Sequence, residues 1–338
     1  MKTVRLTNRA LEGILNNLKN ARVCAAGDVC LDLYLYADMK KSALSRETPH
    51  YPLPVVKETA SPGGGGNVIA NMLALGANVL PVSVVGSDWR GWLLEKALAE
   101  RNADTSRLVR ADAFVTPAYV KPMRMGISDV VYEDPRLDFE NRAPMDSGTE
   151  ERFVSALRAA AEEADVVAAA DQMDMGVLTD RAREALFEIA KHKPVIVDSR
   201  SRLPRYFGHG VIVKPNEVEA ARALNEEPPS DMDAFEALAR RLAERNGAPA
   251  LMTVGDRGAL WADASGVTHV PAIPARPPID IVGCGDTFLS AFACALAGGA
   301  GAVSAAAFGC AASAVTVKKI GTTGTASPEE IREKFGEY

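Results

Sequence analysis

Short apolar runs alternate along the chain with stretches in which apolar residues recur at helical spacing. Short apolar or β-branched runs typical of buried strands occur at 22–28, 79–86, 164–170, 194–198, 210–216 and 249–255. Stretches with helical spacing of apolar positions lie between them, at 67–75, 89–101, 150–163, 181–191 and 235–246. This alternation predicts an α/β fold in which a mainly parallel sheet is covered by helices on both faces. Ligands of such folds collect at the carboxyl ends of the strands.

Two regions interrupt this rhythm. Residues 33–60 and 111–142 are rich in proline, aromatic residues and alternating patterns, such as HYPLPVVKE and SDVVYEDPRLDFEN. We expect them to form antiparallel strands outside the main sheet, which together build one small β-lid. The chain, residues 1–338, is therefore predicted to be a single domain whose lid comes from two insertions.

The composition narrows the class of protein. Hydrophobic residues make up 47% of the chain and charged residues 24%, and 38 scattered lysines and arginines are outnumbered by 44 acids, so no nucleic-acid partner is expected. The amino-terminal stretch lacks the long apolar segment of a secretory signal, which predicts a cytoplasmic protein. The cysteines show no CxxC spacing, which argues against a disulfide framework or a zinc site.

The uncharged stretch 287–317 is long enough to span a bilayer. It is rich in alanine and is interrupted by Gly298, Gly299 and Gly301. These features favour two buried helices joined by a glycine turn, so no membrane partner is expected.

The segment Gly283-Cys284-Gly285-Asp286 precedes a long apolar helix. Glycines let backbone N–H groups converge at a helix start, where the helix dipole favours an anion. A carboxylate would compete with a bound phosphate, but it makes chemical sense if Asp286 accepts the proton of a hydroxyl group that attacks that phosphate. The alternative is that Asp286 only caps the helix.

A run of four glycines, Gly63 to Gly66, leads into Asn67. It lacks the G-x-G-x-x-G spacing directly after a strand that a dinucleotide site requires. A polyol that approaches the backbone at Gly64 and Gly65 and bonds to the amide of Asn67 fits better. The alternative is that Asn67 opens the helix and only caps it.

Carboxylates also follow the first strand. Asp28 and Asp32 are placed to accept hydrogen bonds from paired sugar hydroxyls. Either residue is alternatively a solvated turn residue, and for Asp28 we prefer that interpretation.

Two further segments follow later strands. Asn216 and Glu219 stand three residues apart at a helix start, a spacing that suits Mg²⁺ held through water and equally suits a capping box. The segment from Thr253 through Gly255 to Gly258 is either a turn that closes over a nucleotide or an ordinary hairpin.

Taken in chain order, these segments resemble the PfkB or ribokinase-type sugar kinases over essentially the whole chain. The resemblance rests on Asp32, Asn67, Asn216-x-x-Glu219, Thr253-x-Gly255-x-x-Gly258 and Asp280-x-x-Gly283-x-Gly285-Asp286. It implies a ribokinase-like three-layer α/β/α sandwich with a small β-sheet lid. It also implies an enzyme that transfers the γ-phosphate of ATP to a sugar hydroxyl, with an alcohol group as acceptor.

The resemblance also implies roles for individual residues. Asp286 would be the general base and Gly283, Cys284 and Gly285 the anion hole, while Asp32, Gly64, Gly65 and Asn67 would bind the sugar. The nucleotide side would comprise Lys214, Asn216, Thr253, Gly255, Gly258 and Cys310. Mg²⁺ would be supported through water by Asn216 and Glu219, and a monovalent cation such as K⁺ by Asp280, Val282, Gly321 and Thr325. The lid would form a homodimer.

Within the family the closest likeness is to the heptose 7-phosphate kinase branch, on segments such as GDVCLDLYLY, PGGGGNVIANMLALGA and IGTTGTASP. This likeness implies phosphorylation of O1 of D-glycero-β-D-manno-heptose 7-phosphate. The chain departs from it at Cys284, at Cys310 and in the segment 170–176. The candidate holders of the substrate phosphate are Lys121, Arg46, Arg124, Arg136 and Arg200.

Other functions stay open at this point. A kinase of the same family could act on ribose, fructose, fructose 6-phosphate, ketodeoxygluconate or a nucleoside. The departures at 170–176 and Cys310 leave room for a non-catalytic regulator that binds sugar or nucleotide. A dinucleotide oxidoreductase rests on the glycine run alone.

Overall fold

The computed structural model describes residues 1–321 and 323–337. Its strands are β1 Lys2–Thr3, β2 Arg22–Gly27, β3 Val29–Asp38, β4 Val55–Gly64, β5 Asn78–Val82, β6 Val84–Gly86, β7 Val109–Ala111, β8 Ala118–Met125, β9 Tyr132–Glu133, β10 Leu137–Phe139, β11 Val166–Asp171, β12 Val195–Ser199, β13 Ile212–Val213, β14 Ala250–Thr253, β15 Ala259–Asp263 and β16 Gly266–Val270. Its α-helices are α1 Asn8–Asn17, α2 Gly65–Ala74, α3 Trp89–Ala99, α4 Ser147–Glu163, α5 Asp180–Ala190, α6 Glu217–Leu224, α7 Met232–Asn246, α8 Cys284–Ala297, α9 Ala302–Thr316 and α10 Pro328–Gly336.

The main sheet of the described residues has nine strands in the order β1-β16-β15-β14-β13-β12-β11-β2-β5. The strands from β14 to β5 are parallel to one another, whereas β15 pairs antiparallel with both β14 and β16. The prediction of a mainly parallel sheet is therefore confirmed, with an antiparallel hairpin pair added towards one edge.

Alternating residues of the sheet face two cores. In β2, Val23 and Ala25 pack with the helices α1, α2, α8 and α9, while Cys24 and Ala26 pack with α4 to α7. This alternation follows from the two-residue period of a strand, and because both faces are covered the strand has no polar side chain after Arg22. The stretch 287–317 forms the buried helices α8 and α9, as predicted. Among the described residues, no helix is both long and apolar enough to cross a membrane.

A second sheet forms the β-lid, which comprises β3, β4, β8, β9 and β10. The sequence predicted antiparallel pairing. This prediction is confirmed for β3 with β4 and for β8 with β10. It is wrong for β3 with β8, which are parallel. The two insertions meet along β3 and β8, so the direction of that pair is set by how the insertions pack, which local patterns do not encode. The lid strands also extend beyond 33–60, because β3 begins at Val29 and β4 ends at Gly64.

The run 79–86, predicted as one strand, is divided into β5 and β6. Between them Ser83 is fully buried, and its hydroxyl donates to the carbonyl oxygen of Gly27 at 2.6 Å. The chain therefore leaves the main sheet at Ser83, and β6 pairs with β7 in a separate two-stranded sheet.

The carboxyl ends of the parallel strands define one edge of the main sheet. Five successive strands of the sheet are each followed or ended by a polar residue within three positions: Asp28, Asp171, Ser199, Asn216 and Thr253. The ends of β2 and β11 approach closely, since a Cβ atom on Gly27 would lie 2.2 Å from the carbonyl oxygen of Ala170. Only glycine fits there.

Candidate active site

Asp286 lies in the first turn of α8, and its carboxylate bonds to a side chain on another helix. The N-cap of α8 is Gly283, and Asn67 on α2 donates from Nδ2 to Asp286 Oδ2 at 2.7 Å. The interpretation of Asp286 as a helix cap is therefore wrong. Burial raises the pKa of Asp286 to about 6, the Asn67 hydrogen bond opposes that rise, and the charge of Asp198 adds to it. A carboxylate with a pKa in this range suits a general base near neutral pH.

The loop before Asp286 needs its first glycine for two reasons. Gly283 has φ of +78°, and a Cβ atom there would lie 2.9 Å from Nδ2 of Asn67. The N–H of Cys284 donates to the carbonyl oxygen of Ile281, whereas the N–H groups of Gly285 and Asp286 have no acceptor in the described part of the chain. These two donors stand at a helix start, where an anion is favoured.

Asn67 is inside a helix. The first residue of α2 is Gly65 and its N-cap is Gly64, so the prediction that Asn67 opens and caps the helix is wrong. Gly64 has a positive φ of +55°, which glycine adopts easily, so the chain passes directly from β4 into α2. The helix therefore begins two residues before Asn67. Asn67 is 2% exposed, and Asn71 donates to its side-chain oxygen at 3.2 Å, which fixes the direction of the amide.

Asp32 extends from the lid strand β3 towards the glycine run. It is buried and accepts a hydrogen bond from Lys121 Nζ at 3.0 Å, and the same ammonium group donates to the Tyr34 hydroxyl. A Cβ atom on Gly63 would lie 2.4 Å from Asp32 Oδ2, so Gly63 is the glycine that makes room for this carboxylate. Gly65 is also constrained, since a Cβ atom there would lie 2.8 Å from the carbonyl oxygen of Asp28, to which its N–H donates at 2.7 Å.

Asp28 is buried, and its preferred interpretation as a solvated turn residue is wrong. Its carboxylate accepts hydrogen bonds from the backbone N–H groups of Gln172, Met173 and Val177, at 2.7 to 2.8 Å. Burial and the neighbouring charge of Asp171 raise the pKa of Asp28 to about 6 against these hydrogen bonds. The sequence pattern missed this role because the three partners lie more than 140 residues away.

Asn216 and Glu219 form a complete capping box at the start of α6. Asn216 Oδ1 accepts from the Glu219 N–H at 2.8 Å, and Glu219 Oε2 accepts from the Asn216 N–H at 2.9 Å. Burial raises the pKa of Glu219. Because the capping box uses only one carboxylate oxygen of Glu219, the other oxygen is free to accept hydrogen bonds from the water ligands of a Mg²⁺ ion, and the residues fit that role.

A buried lysine balances these acids. Lys214 is 3% exposed and its Nζ lies 2.8 Å from Asp198 Oδ2. Burial lowers the pKa of Lys214, but the ion pair with Asp198, assisted by Glu219 and Asp286, raises it overall, so the ammonium group stays charged. Asp198 ends the strand pattern VIVD, and this position at the carboxyl edge was the signal that sequence reasoning missed.

Comparison with known proteins identifies the family to which this chain belongs. The family model described as "pfkB family carbohydrate kinase" matches residues 20–330. The chain belongs to this family of carbohydrate kinases. The protein named "Bifunctional protein HldE" from Geobacter metallireducens is 30% identical over 334 residues, which cover 98% of this chain and 66% of that protein. The protein of the same name from Azorhizobium caulinodans is 35% identical over 309 residues, 89% of this chain and 62% of that protein. The chain thus spans about two thirds of the length of these relatives.

Solved structures share the fold of this chain. A ribokinase of Arabidopsis thaliana matches with a TM-score of 0.67 and 17% identity over 93% of this chain and 98% of that one. The phosphofructokinase-2 of Escherichia coli matches with a TM-score of 0.70 and 19% identity over 94% of this chain and 99% of that one. The predicted ribokinase-like fold, the PfkB resemblance and the enzyme class, a phosphotransferase with an alcohol acceptor, are confirmed.

The residues that the sequence predicted for the nucleotide side lie at different depths below the surface. Thr253 ends β14, and the turn through Gly255 to Gly258 leads into β15, so the segment is a hairpin. A Cβ atom on Gly258 would lie 2.1 Å from the carbonyl oxygen of Val270, so the glycine is required by packing. The thiol of Cys310 is buried in α9 at 3.9 Å from the same oxygen, behind the hairpin.

Of the residues predicted to hold a monovalent cation, Asp280, Val282 and Gly321 are joined by hydrogen bonds, and Thr325 is bonded elsewhere. The Asp280 carboxylate accepts from the N–H groups of Val282 and Gly321, at 3.0 and 2.9 Å. The carbonyl oxygen of Thr325 accepts from Lys319 Nζ at 2.6 Å. The Lys319 ammonium group therefore contacts one of the four predicted ligands, the Thr325 oxygen.

Proposed function

We propose that the protein transfers the γ-phosphate of ATP to a hydroxyl group of a sugar or sugar phosphate, with Asp286 as the general base. The observation that carries this proposal is the Asp286 carboxylate, held by Asn67 at 2.7 Å beside two N–H groups at the start of α8 that have no acceptor among the described residues. A base and an anion site in direct contact are what phosphoryl transfer to a hydroxyl group requires.

The residues divide the chemistry among them. Asp286 takes the proton of the attacking hydroxyl, and Asn67 holds the carboxylate in place. The N–H groups of Gly285 and Asp286 donate to the oxygens of the transferred phosphate, while the Lys214 ammonium adds positive charge nearby. Asp32 accepts hydrogen bonds from other hydroxyls of the sugar.

Mg²⁺ is the proposed metal, and Glu219 and Asn216 would hold it through water. When bound it supplies positive charge that offsets the charge of the nucleotide phosphates. K⁺ is a proposed activator near Asp280, Val282, Gly321 and Thr325. It would have to displace Lys319 from the Thr325 oxygen.

The proposed substrate is D-glycero-β-D-manno-heptose 7-phosphate, phosphorylated at O1. Its support is the sequence likeness to the two-thirds of HldE proteins that this chain spans. Ribose, fructose, fructose 6-phosphate, ketodeoxygluconate and nucleosides are the competing substrates in the test.

The test is ADP release with MgATP across that panel, for the unchanged protein and for Asp286→Asn. We expect the substitution to lower turnover by roughly 10²–10⁴-fold, the usual worth of a general base. Asp165→Asn is the matched control, since Asp165 lies at the opposite edge of the sheet and pairs with Arg22. Wild-type turnover in Asp286→Asn would remove the base from the proposal. ATP binding without ADP release on any substrate would favour a regulator.

We also propose that the β-lid forms a homodimer. Val55, Ile127, Val131 and Leu137 are exposed apolar side chains of the lid, and β4 is an edge strand of its sheet. Exposed apolar side chains and an edge strand are both typical of an interface. Light scattering behind a sizing column tests this, and a monomer at micromolar concentration would refute it.

A further inference from the structure

A ring of hydrogen bonds joins side chains of α2 and α8 behind Asp286. Thr287 Oγ1 donates to Asn71 Oδ1 at 2.9 Å, and Asn71 Nδ2 donates to Asn67 Oδ1 at 3.2 Å. Asn67 Nδ2 donates in turn to Asp286 Oδ2 at 2.7 Å. Because Thr287 follows Asp286 in the chain, the series closes on itself. We call these four side chains the α2–α8 ring.

Three members of the α2–α8 ring are buried. Asn67 is 2% exposed, and Asn71 and Thr287 are each 1% exposed. A polar side chain buried between two helices is costly unless it is hydrogen-bonded, and apolar side chains would fill the same space without that requirement. Three polar side chains at one helix contact therefore serve something other than the burial of apolar surface.

The ring has one direction, which the carboxylate sets. An ionised carboxylate only accepts hydrogen bonds, so Asn67 must turn its NH₂ group to Asp286. The amide oxygen of Asn67 then faces Asn71, which must also donate, and the amide oxygen of Asn71 faces Thr287. The Thr287 hydroxyl donates to that oxygen. Each side chain of the ring thereby fixes the orientation of the next one.

The amide of Asn67 cannot turn over while the ring is intact. In the reversed orientation its oxygen would face Asp286 Oδ2, so two acceptors would meet, and its NH₂ group would face the NH₂ group of Asn71. Asn71 is itself held, because its Nδ2 also donates to the backbone oxygen of Asn67 at 2.9 Å. Thr287 holds the other end of the Asn71 amide.

The ring also distinguishes the two oxygens of Asp286. Oδ2 is bonded to Asn67, whereas Oδ1 has no hydrogen-bond partner within residues 1–321 and 323–337. Asp286 is partly exposed, which leaves the unbonded oxygen available to a ligand. The charged groups that act on this carboxylate come from other elements and lie outside the ring: Asp198, Lys214 and Asp32.

We propose that Asn71 and Thr287 are positioning residues for the general base. They hold the Asn67 amide in the orientation that donates to Asp286 Oδ2, and they thereby leave Oδ1 to accept the proton of the attacking hydroxyl group. The proposal rests on the proposed kinase function, since it concerns the same carboxylate. Both residues act through Asn67.

The test measures the pKa of Asp286 by carbon NMR of the aspartate carboxyl groups, in which the Asp286 signal is the one that Asp286→Asn removes. Thr287→Val and Asn71→Leu keep the approximate size of the side chain and remove its polar atoms. Each leaves the Asn67 amide less firmly oriented towards the ionised carboxylate. We therefore expect the pKa to rise by about half a unit to one unit, the effect of one lost hydrogen bond between uncharged groups. Thr287→Ser keeps the hydroxyl group and should keep the wild-type pKa.

A double substitution shows whether Asn71 acts through Asn67. Asn67→Ala already removes the donor to Asp286, so the addition of Asn71→Leu should raise the pKa no further. In kcat/KM for the sugar, the single variants should lose about 2- to 5-fold at pH 6 and almost nothing at pH 9. Ser290→Ala is the control, because Ser290 is fully buried at the same helix contact and donates only to the backbone oxygens of Val68 and Asp286.

The outcomes separate this proposal from the kinase function. An unchanged Asp286 pKa in Thr287→Val and Asn71→Leu overturns the positioning role, and so does an equal rise in Ser290→Ala, which would reflect a general loosening of the helix contact. A further rise when Asn71→Leu is added to Asn67→Ala also overturns it. The NMR titration needs no turnover, so the absence of ADP release on every sugar removes the kinase while the titration still decides the ring. If urea denaturation shows that Asn71→Leu does not fold, the comparison of Thr287→Val with Thr287→Ser decides.

Discussion

The hydrogen bond from Asn67 to Asp286 should set the pH at which the enzyme begins to work. Asn67 Nδ2 donates to the ionised form of Asp286 at 2.7 Å, and this contact holds the pKa of Asp286 down against burial, at about 6. Removing a donor to the charged form disfavours that form. The substitution Asn67→Ala should therefore raise the pKa of Asp286.

The size of the shift follows from the strength of the bond. A hydrogen bond to a charged group contributes about 1.5–3 kcal/mol, and one pKa unit corresponds to about 1.4 kcal/mol, which gives a rise of about one to two units. Water entering the space left by the amide offsets part of this, so we expect the lower end, a pKa of about 7. At pH 6 the ionised fraction then falls about 5-fold, and at pH 9 it does not change.

The assay is kcat/KM for the sugar from pH 5 to 9 at saturating MgATP, because this parameter reports groups of the free enzyme. Ser290→Ala is the matched control, since the Ser290 hydroxyl donates to the backbone oxygen of Asp286 and not to its carboxylate. Any pH dependence that comes from titration of the nucleotide is the same in Ser290→Ala as in the wild type. The reasoning is refuted if Asn67→Ala lowers kcat/KM by the same factor at every pH, or if the wild-type acidic limb lies far below pH 6.

Three further perturbations probe other contacts. Gly63→Ala places a Cβ atom 2.4 Å from Asp32 Oδ2 and should raise the KM for the sugar while the KM for ATP stays constant, as steady-state kinetics would reveal. Asp28→Ala leaves three backbone N–H groups without their acceptor, so urea denaturation should show a free energy of unfolding lower by about 3 kcal/mol or more. A loss below about 1 kcal/mol would contradict the role of these bonds. Lys319→Met vacates the Thr325 oxygen, so K⁺ titrations should show stronger activation of the variant than of the wild type, whereas equal activation would mean that Lys319 does not compete with the ion.

The pH dependence of stability has a definite sign. The folded-state pKa values of Asp28 and Asp286 are both raised to about 6. The folded protein therefore binds these protons more tightly than the unfolded chain. The ionised form of each carboxyl group therefore stabilises the folded state less than the protonated form does, and the contribution of both groups to stability improves as pH falls from above 6 towards the ordinary aspartate range. Asp28→Asn should weaken that dependence in urea denaturation at pH 5 and pH 8.

Local sequence patterns were sufficient to predict the strands and helices whose buried surface is apolar. The alternation of short apolar runs with helical spacing predicted the parallel sheet, and the uncharged stretch 287–317 predicted two buried helices, because burial on both faces demands apolar residues throughout. The approximate position of Asp286 at the start of α8 also followed, since glycines and an acid before an apolar run mark a helix start.

Residue types and spacing determined the family, the fold and the candidate base of this protein. Only the tertiary structure decided which side chains meet: Asp286 bonds to Asn67 across 219 positions, and Asp28 to a segment 144 and more positions away. It also decided that Arg124 and Arg136 are in ion pairs, whereas Arg200 has none within residues 1–321 and 323–337. The reason is physical. Periodicity encodes which face of an element is buried. The partner of a polar side chain depends instead on how elements far apart in the sequence pack together, which the local sequence does not specify.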